Sequence, residues 1–401
     1  MALYMAKKTI CTLCFIPLIL LNFSIAQGQT SPKSFITQQY LARADKFADD
    51  LMSDSAIVYY QKTANIYKKQ QAWKKYYLVQ VSIAKQYLQL EQYIMAIRLL
   101  TQYLPDIEKS LLPEVAGMYY QTLGEIDYQQ EKFTDALAFA TKATKYYNSL
   151  PETDLRKLDN LRLIAAYKAR MAYFEESFEM TKACLKQLDE LPTSKKALNI
   201  KVKALLLLGR LYISRVVFDK VLDICYQTIL LLDTMPSSKK NLLLRQIVFN
   251  RKGLVYKNLR KFPLAKQNYR KSIKIAQQVY GNHHKNLAIE YQYLGNVYLA
   301  EGGLSRRKNH LDSALFYHKK SLETVQGSES QDTFLGDGYF AIANIYHLKT
   351  NFREATRYFQ KSYEELTKHY EDTNPNLVTL YLKWAQASNE EKRPEQQLSS
   401  Q

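Results

Sequence analysis

The sequence predicts an all-α solenoid built from helix–turn–helix units, and three observations predict it. Small residues recur along the chain at Ala44, Ala84, Gly124, Ala165, Gly209, Gly253, Gly295 and Ala343, with steps of 40, 40, 41, 44, 44, 42 and 48 residues. A second small or aliphatic residue follows each of them in register: Ala56, Ala96, Ala136, Ser177, Val221, Ala265, Ala314 and Ala355. Between the two sets an aromatic marks the turn, at Tyr93, Phe133, Phe174, Phe218, Phe262 and Phe352. Independent markers that keep one register over most of a 401-residue chain define an internal repeat, and repeats of this period mean stacked supersecondary units.

The N-terminus precedes the repeats. Lys7 and Lys8 are followed by a largely apolar run from Thr9 to Ile25, and Ser24-Ile25-Ala26 places small residues before Gln27. This is the pattern of a secretory signal peptide over residues 1–26. An uncleaved anchor would need about 20 apolar residues, and Pro17 interrupts this run. A lipoprotein at Cys14 is disfavoured by Leu13, where a small residue is required. The expected product is therefore exported, to the periplasm or the cell exterior, with no transmembrane segment in the mature chain.

Loss of residues 1–26 takes away two lysines and no acid, so a net charge of +18 falls to +16. Export argues against nucleic acid as the partner of so basic a chain. An acidic protein, an anionic membrane surface or a glycan matches the charge, although solubility alone also explains it. Cys184 and Cys225 remain after cleavage; two buried thiols are expected, with a disulfide between them as the alternative.

Within each unit, the small residues let two helices approach closely, and the turn aromatic fills the gap between hairpins. Prolines at Leu150-Pro151, Leu191-Pro192 and Met235-Pro236 close units, because proline cannot continue the backbone hydrogen bonds of a helix. The step of 48 reflects an insertion, Gly302 to His310, read as a Gly-rich basic loop. One hairpin cannot bury its apolar face alone, whereas a stack of eight can.

Tyr291-Gln292-Tyr293-Leu294-Gly295-Asn296-Val297-Tyr298 with Ala314 to Leu322 resembles a tetratricopeptide repeat (TPR), as does Ile247 to Ile273 with Gly253, Tyr256, Ala265, Tyr269 and Ser272. The longer period resembles the variant of kinesin light chains and exported bacterial TPR proteins. The connector Tyr280-Gly281-Asn282-His283-His284-Lys285 is similar to that variant's, and Tyr370 to Pro375 repeats it. The likeness covers about residues 35–388 and is loosest in the fourth and fifth repeats, at Lys168 and Val221. It implies a right-handed α-solenoid of about eight repeats over residues 31–388. Leu377 to Ser388 would form a capping helix with Trp384 on the last hairpin, and 389–401 a polar disordered tail.

No catalytic signature accompanies the repeats: there is no Gly-x-Ser-x-Gly, phosphate-binding glycine loop or His-Glu-x-x-His. His283-His284 has no Cys, Asp or Glu at ligand spacing, and the resemblance implies a polar side chain closing the connector. A non-enzyme without cofactor or metal is expected.

The resemblance places the first helix of each hairpin on the concave face. Candidate partner-binding residues there are Lys85, Arg162, Arg170, Lys203, Arg210, Asn250, Arg251, Lys257, Asn258, Gln292, Asn296 and Asn344. They predict a basic middle followed by amides, suited to an acidic or extended polypeptide, with a merely solvated face as the alternative. Lys195-Lys196 and Lys239-Lys240 stand at expected helix starts, where the dipole disfavours cations by roughly 0.3–1 kcal/mol, and suggest a basic edge with a use. The expected function is a protein-binding scaffold; the alternative is an extracytoplasmic sensor or input module acting through a membrane partner.

Overall fold

Each helix begins where the turn residues end and carries its small residues inward. The computed structural model describes residues 32–110, 112–305, 308–325, 333–371 and 374–399. The signal-peptide reading lies outside them. Seventeen helices and no strand occur among the described residues. They pair as α1 (Pro32–Asp49) with α2 (Ser53–Lys69), α3 (Trp73–Gln89) with α4 (Tyr93–Lys109), and α5 (Pro113–Gln129) with α6 (Phe133–Tyr147). Next come α7 (Leu155–Arg170) with α8 (Phe174–Asp189), α9 (Lys195–Ser214) with α10 (Phe218–Asp233), and α11 (Lys239–Asn258) with α12 (Phe262–Tyr280). The last pairs are α13 (Lys285–Ser305) with α14 (Lys308–Thr324) and α15 (Phe334–Leu348) with α16 (Phe352–Leu366), closed by α17 (Pro375–Ser399).

The repeat register is a packing register. The four alanine anchors and all eight second-helix markers are fully buried. A side chain at Gly124 would meet the Ala136 carbonyl at 2.9 Å, so its bare Cα sets the approach of α5 and α6. Four residues after each second-helix marker lies the side chain that fills the space beneath the anchor, such as Leu100, Tyr269, His318 or Phe359. Seven after it, Ser272, Ser321 and Ser362 donate to first-helix carbonyls of Gln246, Ala288 and Gly336, at 3.5, 2.8 and 2.8 Å. Cys184 holds that same place against Leu158, whereas Cys225 holds the four-residue place against Val248. Different places on their helices explain why both are free, and burial raises both thiols above their ordinary range.

Seven of the eight hairpin turns put a non-glycine residue in the left-handed region: Leu51, Glu91, Glu131, Ala172, Val216, Arg260 and Thr350. In each, the following amide reaches back to a carbonyl of the first helix, as Val217 does to Tyr212 at 3.0 Å. Val216 is β-branched and 66% exposed at φ +59°, so it bears the strain without packing in return. Val216→Gly should therefore raise stability by about 1 kcal/mol, after allowing for glycine's greater freedom when unfolded. The midpoint of urea unfolding measures this; an unchanged or lower midpoint contradicts it.

Two expectations are corrected. Gly302 and Gly303 are not loop residues but lie inside α13, and Lys308 to His310 begin α14. Gly295 and Ala314 stand 19 residues apart where the other repeats have 12, a difference of about two helical turns, so the hairpin lengthens while its register survives. Gly302 is needed inside it, because a side chain there would meet Leu311 at 2.8 Å. The final helix does not stop at Ser388 but runs to Ser399. Glu390, one residue pair past the expected end, meets His347 of α15 at 3.0 Å. Trp384 packs against Tyr363 as expected.

Candidate functional site

From α3 to α15 the first helices touch one another from repeat to repeat, which puts them on the inner side of the curved stack, and residues 40 apart come into ionic contact there. Lys85 of α3 donates to Glu125 of α5 at 3.0 Å. On α7, Arg162 binds Asp159 one turn away at 2.6 Å, and the other oxygen of Asp159 accepts from Gln121 of α5 at 3.3 Å. Tyr147 in turn donates to Gln121 at 3.0 Å. Burial pushes the Asp159 carboxyl up, but Arg162, Lys203 and Lys85 outweigh it and hold it well below the usual carboxylate range. The middle of the face is therefore not simply basic, as the sequence suggested, but a charge network.

Lys203 of α9 joins this network as a surplus cation. Among the described residues, no carboxylate lies within 4 Å of its ammonium. Burial, together with neighbouring Arg162, pushes it down to about 8. Arg210 is likewise unpaired, and Lys257 stands near the end of α11 without an ion partner among the described residues.

Further along, the amides are already occupied. Asn250 and Gln246 of α11 both donate to Glu290 of α13, at 3.0 and 3.1 Å. Glu290 is almost wholly buried, and burial raises its carboxyl despite those amides. Arg251 points between helices and donates to the Leu206 carbonyl of α9; burial lowers its guanidinium to about 10. Its first duty is to join two repeats. Arg170 lies over the Phe133 ring, 4.8 Å from its centre, and pairs with Glu131 at the turn edge. Asn344 donates to Phe340 in its own helix. Gln292 and Asn296 are half-buried on α13, and Asn258 is exposed at the end of α11.

The histidine connector has a structural duty. The His284 carbonyl accepts the first helical bonds of α13, from Leu287 and Ala288, and its ring accepts the Asn286 amide at 3.1 Å while stacking on Tyr280. Asn374 does the same for α17 through the Asn376 amide at 2.9 Å. No group of three potential metal ligands occurs among the described residues.

The superhelix also brings its beginning to its middle. Asp49 at the end of α1 accepts from Lys195 at the start of α9, at 2.8 Å and 146 residues away, and α1 touches α11 as well. Between these elements lies a cavity of about 550 Å³, lined by Asp45, Asp49, Lys85, Glu125, Lys195, Lys203 and Lys240 among others. Lys195 and Lys240 of the basic edge thus share this cavity with two acids of α1, Asp45 and Asp49.

Sequence reading missed the acids: Asp45, Asp49, Glu125, Asp159 and Glu290. Glu125 was detectable, since it follows its anchor by one residue as Lys85 does.

No family model matches the chain, and no curated protein matches it in sequence. Solved structures do. A signal-transduction ATPase of Pyrococcus horikoshii with a tetratricopeptide repeat sensor superposes with a TM-score of 0.59 at 14% identity, over 84% of this chain and 48% of that one. The Cut9-Hcn1 complex of the APC/C gives 0.56 at 13%, over 87% and 58%. This chain thus spans about half the length of those two. A Rap protein complexed with Competence and Sporulation Factor gives 0.51 at 11%, over 91% and 100%. The fold is that of a TPR-like α-solenoid.

Proposed function

We propose that the chain is an exported, non-catalytic scaffold that holds a protein or peptide in its concave channel, in the periplasm or outside the cell. The observation carrying this reading is a set of concave cations, Lys203 and Arg210 foremost, that the fold leaves without carboxylates of their own among the described residues. Unpaired cations among amides suit the carboxylates and backbone of an acidic or extended polypeptide. Proteins of similar fold include a signal-transduction ATPase with a tetratricopeptide repeat sensor and a Rap protein complexed with Competence and Sporulation Factor, and these support a binding role. They also support a second reading, an input module acting through a membrane protein. No helix among the described residues is long and apolar enough to cross a bilayer itself.

Crosslinking capture from envelope extract and medium tests both. The tagged protein should retain a saturable partner and carry Gln27 as its N-terminus. Lys203→Glu, Arg210→Glu and Lys257→Glu together should lower that capture at least tenfold. Arg251 is spared because it bonds α9. Undiminished capture by the triple variant rules out the channel, a retained Met1 rules out cleavage, and a membrane protein as partner selects the second reading.

A further inference from the structure

Glu290 of α13 is a buried carboxylate that the fold leaves without a cation. It is 4% exposed, and its donors are neutral amides of α11. Gln246 at 3.1 Å and Asn250 at 3.0 Å reach one oxygen, and the Asn250 amide spans to the other at 3.3 Å. No lysine, arginine or histidine lies within 4 Å of it among the described residues, and none opposes the rise that burial imposes on its carboxyl. Asp159, by contrast, has Arg162, Lys203 and Lys85.

This carboxylate belongs to the wall of a cavity of about 350 Å³ between α11 and α13. Tyr280 and Tyr293 stand in the same wall; burial raises their hydroxyls first, and the charge of Glu290 adds to it. Leu243, Ile247 and Ile289 supply the apolar remainder. Phenol rings attract a cation over their faces. A carboxylate offers about four acceptor sites, and an incoming N–H donor finds room beside the two amides. Those amides turn N–H groups towards Glu290, so they offer a metal ion no oxygen, whereas an organic ammonium brings its own donors and an apolar stem. The chain is basic overall, but salt screens that field within about 8 Å at physiological ionic strength. Arg251, in the same wall, directs its guanidinium to the Leu206 carbonyl of α9.

We propose that this cavity binds a small organic amine, whose ammonium pairs with Glu290 beside the Tyr280 and Tyr293 rings while its stem lies on Leu243, Ile247 and Ile289. Folding has already stripped the carboxylate of water, so the ligand adds only its own desolvation. A lysine side chain carries the same chemistry, and the test separates the two sources. The site needs neither Lys203 nor Arg210 and is independent of the polypeptide reading.

Isothermal titration calorimetry of the full chain with 2-phenylethylamine tests it, with 2-phenylethanol and phenylacetate as the uncharged and anionic counterparts. The amine should bind at one site, and both counterparts at least tenfold more weakly. Glu290→Gln keeps the shape and should weaken the amine at least tenfold. Tyr293→Leu, at a position 39% exposed, should weaken it about fivefold with unchanged circular dichroism. Nα-acetyl-lysine amide binding more weakly than the arylamine supports a free amine as the occupant; tighter binding overturns that and leaves a lysine side chain in its place. An amine that does not bind, phenylethanol that binds equally, or both variants binding like the parent overturns the site. Lys203→Gln with Arg210→Gln should leave the titration unchanged while lowering polypeptide capture, so either reading can fail while the other stands.

Discussion

Asp159→Ala should cost the protein about 3–5 kcal/mol at neutral pH, because it strips the carboxylate that Arg162 bonds and that Lys203 and Lys85 of other repeats also stabilise. Arg162 of α7 bonds Asp159 through two nitrogens, at 2.6 and 2.8 Å, with only a tenth of its side chain exposed. Without that carboxylate, a guanidinium stays inside the channel wall near Lys85 and Lys203, with Glu125 already bonded by Lys85, and Gln121 loses its acceptor. A lost partner leaves the remaining charge desolvated, which is why breaking such a pair costs more than the pair contributes.

Asp159→Asn keeps the shape and tests the charge. The folded carboxyl is held below its unfolded value near 3.9, so its contribution is present above that pH and disappears as pH falls through the folded value. Urea unfolding at pH 7 should separate protein and Asn variant clearly, and the gap should narrow towards pH 3. Coincident midpoints at pH 7 would show that the network carries no stability.

His318→Leu should act in the opposite direction, raising stability by about 1–3 kcal/mol at neutral pH. His318 is 1% exposed, packs where a side chain on Gly295 would sit, and has no hydrogen-bond partner for either ring nitrogen among the described residues. Leucine already fills this place in the second repeat, as Leu100, so the exchange stays within what the fold accommodates. Burial also pushes the imidazole down to about 4. A base with a lowered folded pKa is not penalised above its unfolded value near 6.5, and stability is lost as pH falls from there towards 4, by about 3 kcal/mol. Thermal midpoints followed over that range should fall more steeply for the protein than for the variant. Parallel curves would mean that His318 is not held neutral.

Much of this was legible because repeats encode packing locally. Each small residue in register, from Ala44 to Ala355, names a point where two adjacent helices touch, and neighbours in sequence settle that contact. His284 could be read as a connector residue because capping reaches only a few positions along the chain. Two readings failed for the same local reason. The glycines at 302 and 303 look like a loop until Leu311 is seen packing on one of them, and the polar tail looks frayed until His347 meets Glu390.

The sequence by itself determined the all-α repeat, its period, its eight hairpins and the faces they bury, since a 40-residue register of small residues has one way to stack. Only the tertiary structure decided the chemistry of the concave face. Pairs such as Lys85 with Glu125, Asn250 with Glu290, and Asp49 with Lys195 join residues 40 to 146 positions apart. Their meeting depends on the pitch of the superhelix, a small rotation per repeat that accumulates over many interfaces and that no single unit records.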